Sequence, residues 1–69
     1  MESIKAARKA NGLTIAALAG LIGVSMHSVF RWEHGKSSPN AEELKKLATV
    51  LNVTPNDLLG VNEKEGENK

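Results

Sequence analysis

The chain has no cysteine and only two histidines among its 69 residues. The first absence removes a disulfide framework, a thiolate zinc site and a cysteine nucleophile together. It also fits a reducing compartment, so a cytoplasmic location is the expectation. His27 and His34 are too few for a metal site unless carboxylates join them, and no metal is expected. Bulk is lacking as well. A chain this short buries only about 60 % of the surface its unfolded form exposes, which leaves little room for a catalytic cleft. No motif pairs a nucleophile with a base, and the expectation is a protein that is not an enzyme. Strand signals are nearly absent, and there is no internal repeat.

Strong charge of either sign is also missing. Nine Lys and Arg stand against eight Asp and Glu, a formal net charge of +1. The distribution is uneven. Residues 3–60 carry seven basic against four acidic side chains, whereas residues 61–69 carry two against three. A mild positive surplus with an acidic end is compatible with nucleic-acid binding without requiring it. With 41 % hydrophobic and 25 % charged residues the composition is that of a globular domain rather than a disordered chain.

One uncharged stretch, Gly12 to Phe30, is long enough to span a bilayer. Three glycines, Thr14, Ser25, His27 and Ser28 interrupt it, and Gly23-Val24-Ser25 reads as one helix ending and another being capped. A signal peptide fits no better, because no small-residue cleavage site follows Lys5, Arg8 and Lys9. No membrane contact is expected.

Helix signals recur at short intervals. Ser3 to Asn11 is the first, with Ile4, Ala7 and Arg8 on one face, Gly12 as its left-handed stop and Leu13 folding back after the cap. Thr14 caps a second helix from Ile15 to Leu21 or Ile22, with Leu18, Leu21 and Ile22 on one side. Gly20 within it is expected to admit a close neighbour. Ser25 caps a third, Met26 to His34, closed by Gly35. Its Val29 and Trp32 face the core, whereas Met26, His27, Phe30 and Arg31 fall largely on the other side. After the loop Lys36-Ser37-Ser38-Pro39, Asn40 and Glu43 have capping-box spacing for a fourth helix running to about Leu51, striped by Leu44, Leu47, Ala48 and Leu51. Thr54-Pro55 opens a short fifth, ending at Gly60. Residues 1–60 read as one domain and residues 61–69 as a disordered polar tail.

Two short helices joined by a short glycine-containing turn make a helix-turn-helix arrangement, which presents the amino end of the third helix where it fits a DNA major groove. Spacing alone fits a plain small helical bundle as well. Specific residues add to it. Leu13-Thr14, Leu18-Ala19, Gly23-Val24-Ser25, Val29, Arg31-Trp32-Glu33-His34-Gly35-Lys36 and Pro39, followed by Leu44, Leu47-Ala48, Leu51, Val53-Thr54 and Asp57-Leu58-Leu59-Gly60, resemble the Cro/C1-type helix-turn-helix family, the lambda-repressor-like domains. The resemblance covers residues 3–60.

It implies a compact, all-α five-helix domain that binds operator DNA, usually as a dimer, and regulates transcription, most simply as a small phage or bacterial repressor. It implies base contacts from Met26, His27, Ser28 and Arg31, and phosphate contacts from Thr14, Ile15, His34, Lys36, Ser37 and Ser38. Arg8 and Glu33 resemble the family's structural ion pair, and Trp32 its core tryptophan. Asn52, Thr54, Pro55 and Asn56 lie where related domains dimerise. No cofactor is implied. The departures are Ile15, where glutamine is common, Met26, where a polar reader is common, and Phe30, where a small or polar residue is usual. Ile15, Met26 and Phe30 together would form an apolar patch on the DNA-facing side. That patch supports a second reading, a helix-turn-helix-derived module, antirepressor or antitoxin-like, that binds a protein partner.

Overall fold

The computed structural model of the chain describes residues 2–59. Five helices follow one another, α1 (Glu2–Ala10), α2 (Ile15–Ile22), α3 (Met26–Glu33), α4 (Ala41–Leu51) and α5 (Pro55–Leu59), and there is no strand among the described residues. The domain is therefore all-α, with the helices in the order read from the sequence. The expected stop at Gly60 and the tail 61–69 lie outside the described residues.

Local chemistry sets most boundaries. Thr14 accepts from the Ala17 amide at the start of α2, and Ser25 from the Ser28 amide at the start of α3. Asn40 and Glu43 form a complete capping box, each side chain bonded to the other's backbone amide at 2.7 and 2.8 Å. Thr54 and Asp57 repeat that reciprocal pattern at 3.1 and 3.2 Å with the shorter acid. Such caps satisfy amides that have no partner within the helix. At the other ends the chain folds back in one way four times, the amide just past the turn residue bonding the carbonyl five residues earlier. The pairs are Leu13 to Arg8, Val24 to Ala19, Lys36 to Arg31 and Val53 to Ala48, at 2.9–3.1 Å. At the last of these the left-handed residue is Asn52, with φ 57°, the one common substitute for glycine there. Helix α1 ends at Ala10 and α3 at Glu33, one residue earlier than the apolar spacing suggested, because Asn11 and His34 are the half-helical residues that lead into these turns.

The core is one cluster. Ile4 comes from α1, Leu18, Ala19 and Ile22 from α2, Val29 and Trp32 from α3, Leu47, Ala48 and Leu51 from α4, and Leu58 from α5. Two expectations for α2 fail. Leu21 is 59 % exposed rather than part of the inward stripe. Every residue of α2 is apolar or glycine, so hydrophobicity has no contrast with which to orient the helix. The inward row is instead Ile15, Leu18, Ala19 and Ile22 at 3–4 spacing. Gly20 admits no close neighbour either; a Cβ there would meet nothing within 4 Å.

Polar cross-links tie the helix ends together. The Ser3 hydroxyl donates to the Leu58 carbonyl, joining α1 to α5. The Asn11 side-chain amide donates to Leu51 at 3.1 Å and to Ala7 at 2.8 Å, joining α1 to α4. No single helix among the described residues is long and apolar enough to cross a membrane. The uncharged stretch is divided between α2 and α3, which are bent by 112° at their junction.

Candidate nucleic-acid interface

The angle between α2 and α3 arises from three residues. Gly23 turns the chain with φ 89°, a conformation that costs a residue with a Cβ roughly 1–2 kcal/mol. Its amide and that of Val24 both bond the Ala19 carbonyl, at 2.8 and 3.0 Å. Val24 packs partly against the core, and Ser25, in extended backbone, restarts the chain as the cap of α3. The bend of 112° falls within the range of about 90–120° that two helices joined by such a turn adopt.

Helix α3 is two-sided. Val29, Trp32 and Glu33 are buried, whereas Met26, His27, Phe30 and Arg31 are exposed. Met26, His27 and Arg31 thus lie together on the outward face at the amino end and one turn on. Ser28 differs. It is half-buried, its amide bonds the Ser25 hydroxyl, and the two hydroxyls lie 3.2 Å apart, so its polar groups are engaged in the cap.

The inner face is fixed by more than apolar packing. Arg8 Nε donates to Glu33 Oε2 at 2.7 Å and Arg8 Nη2 to Oε1 at 3.1 Å, a two-pronged pair linking α1 to α3. Arg8 Nη1 donates to the Leu13 carbonyl at 2.9 Å, so the same guanidinium also holds the α1–α2 turn. The side chains are 10 % and 1 % exposed. The hydrogen bond to Glu33 and its charge push the arginine's already high pKa further up, against the opposing effect of burial. The guanidinium therefore stays charged at any accessible pH.

The flanking groups are less uniform. Thr14 is exposed at the amino end of α2, and its hydroxyl takes the Ala17 amide at 3.0 Å. The amides of Ile15 and Ala16 there have no partner within the helix by its geometry. The Ile15 side chain packs against the core. Of the expected apolar patch, then, only Met26 and Phe30 stand clear of the body, because the inward row of α2 claims Ile15. His34 stacks on Phe30, with centroids 4.0 Å apart and planes at 26°, and its Nδ1 lies 3.0 Å from the Phe30 carbonyl. A carbonyl only accepts, so in this hydrogen bond Nδ1 is the donor. Beyond Gly35, Lys36 and Ser38 are exposed and Ser37 is half-buried. Asn52, Thr54, Pro55 and Asn56 are all exposed, although Asn52 and Thr54 also close α4 and open α5. None of the expected site residues lines the open groove between α2 and α4, which Leu21, Lys45, Lys46, Thr49 and Val50 form. No group of three His, Asp or Glu able to hold a metal occurs among the described residues.

Sequence reasoning overlooked the Phe30–His34 stack, which its four-residue separation on one helix face would have signalled. It also overlooked Asn11 and its reach to α4.

A family model described as helix-turn-helix matches residues 4–58. Over 58 residues the chain is 38 % identical to Repressor protein C2 of Salmonella phage P22, covering 84 % of this chain and 27 % of that protein. It is 34 % identical over 59 residues to Antitoxin PezA of Streptococcus pneumoniae, covering 86 % and 37 %. It is 36 % identical over 59 residues to the cryptic phage CTXphi transcriptional repressor RstR of Vibrio cholerae, covering 86 % and 53 %. The chain thus spans between about a quarter and about half the length of these relatives. No solved structure matches it significantly.

Proposed function

Because the chain belongs to the Cro/C1-type helix-turn-helix family, we propose that it binds duplex DNA sequence-specifically as a transcriptional regulator, not as an enzyme, with the amino end of α3 in the major groove. One observation carries the reading: α3 turns Met26, His27 and Arg31 outward while Val29, Trp32 and the Arg8–Glu33 pair hold its other side. An α-helix fits the major groove, where each base pair shows a distinct donor and acceptor pattern. Arg31 has the fork to bond guanine O6 and N7 together. His27 donates to or accepts from a base edge, Met26 touches bases through its apolar surface, and Ser28 supports these contacts from the cap.

Phosphates on one side meet Thr14 and the amides of Ile15 and Ala16, at the positive end of the α2 dipole. On the other side they meet His34, Lys36, Ser37 and Ser38. Two copies, meeting through Asn52, Thr54, Pro55 and Asn56, would set their α3 helices about 34 Å apart on a pseudo-palindromic operator. Repressors of phage among the relatives favour a repressor working in the cytoplasm.

Two substitutions separate base from phosphate contacts. Arg31→Ala is expected to lose about 1–3 kcal/mol at the preferred site and to relax selection at one base position. Selection from random duplex DNA by both proteins checks this, and an unchanged preference removes Arg31 from base contact. Lys36→Ala is expected to weaken binding to all sequences alike and to lower the slope of affinity against salt by about one. An unaltered slope takes Lys36 out of the phosphate clamp.

The exposure of Met26 and Phe30 favours a second reading, a module that binds a protein partner as an antirepressor or antitoxin would. Salt distinguishes the two. Contact with several phosphates weakens steeply as salt rises, whereas apolar contact does not.

A further inference from the structure

Met26 and Phe30 are 56 % and 42 % exposed, and they lie four residues apart on α3. That spacing stacks them in one row along the helix. His27 and Arg31, also four apart, form a second row beside it. The outward surface of α3 is therefore a polar row and an apolar row running side by side. The apolar row is not loose. The Phe30 ring lies against the His34 ring at 4.0 Å, and the His34 imidazole is itself held by the Phe30 carbonyl at 3.0 Å. A side chain already held in place loses less freedom when it meets a ligand.

A major groove offers such a row one apolar feature, the 5-methyl group of thymine; the rest of its floor is donors and acceptors. We propose that Met26 and Phe30 read thymine methyl groups, so that the preferred DNA carries thymine beneath this row and guanine beneath Arg31. The inference rests on the DNA-binding reading above and adds which bases that surface selects. It assigns to Phe30 a role in specificity. A residue with a polar tip there would compete with Arg31 and His27 for hydrogen-bonding edges. Phe30 instead discriminates by fit against a methyl and leaves the polar edges to its neighbours.

The test uses the full chain and the duplex it selects from a random pool. Each thymine of that duplex is replaced in turn by deoxyuracil, which lacks only the methyl. The expected result is a loss of about fourfold in affinity at one or two thymines of the site, the effect of a single buried methyl. Phe30→Ala and Met26→Ala, both at exposed positions, are expected to bind the thymine and deoxyuracil duplexes with equal affinity at the thymine each one touches. Circular dichroism shows that each variant is folded. Tight binding with no loss at any thymine overturns this proposal and leaves the DNA-binding reading standing. So does full methyl sensitivity retained by both variants. Failure to select any duplex, with the folded chain binding a protein instead, overturns both readings.

Discussion

Glu33→Leu is expected to destabilise the domain by about 3–5 kcal/mol, because it strands the Arg8 guanidinium in a site where the side chain is only 10 % exposed. The remaining bond, from Nη1 to the Leu13 carbonyl, satisfies one prong of the fork and none of the charge. Arginine does not escape by losing its proton. A domain of this size has a total stability of roughly 3–10 kcal/mol, so the single variant sits near the edge of unfolding. The double variant Arg8→Met/Glu33→Leu is expected to recover most of the loss, since apolar groups of similar volume replace both charges and no desolvation is left uncompensated. Urea unfolding measures both, with the midpoint shifting while the slope stays constant. A double variant as unstable as the single would mean that the pair is itself a net source of stability.

The double variant also separates two roles of the pair. Arg8 joins α1, α3 and the α1–α2 turn through one planar group. Apolar replacements can fill that space, but they carry no directional bonds. A refolded double variant that binds DNA with lower affinity would assign the pair to orienting α3. Equal affinity would assign the orientation to Val29 and Trp32.

These ends and turns were legible in the sequence because each depends on one residue type at one place. Thr14, Ser25, Asn40 with Glu43, and Thr54-Pro55 announce helix starts, and Gly12, Gly23 and Gly35 stand with φ between 68 and 89° where stops were read. The amphipathic helices α3 and α4 could be oriented from their own pattern, and the outward face of α3 follows from it. Links between distant residues left no local mark. Asn11 reaches Leu51, 40 residues on, and Ser3 reaches Leu58, 55 residues on. Arg8 and Glu33, 25 apart, were brought together only by resemblance, since seven basic and four acidic side chains in residues 3–60 offer many other pairings. Ile15 shows a related limit: its position at the head of α2 is legible but its direction is not, and its side chain packs against the core.

Helix α2 isolates that question of direction in two leucines three residues apart. Leu18 is fully buried, whereas Leu21 is 59 % exposed beside Lys45, Lys46, Thr49 and Val50. The side chains are chemically identical and their intrinsic helix preferences cancel, so any difference between Leu18→Ala and Leu21→Ala reports packing. Leu18→Ala is expected to cost about 2–5 kcal/mol, the lost burial plus the cavity left in the core cluster to which Leu18 belongs. Leu21→Ala removes surface that water already reaches and is expected to change stability by less than about 0.5 kcal/mol. Thermal and urea unfolding of the two variants check this directly. Equal losses would mean that α2 is rotated from the orientation described, with Leu21 turned toward the core. Because α2 carries the Gly23 turn, such a rotation would also swing α3, and the outward row of Met26, His27 and Arg31 would lose its basis.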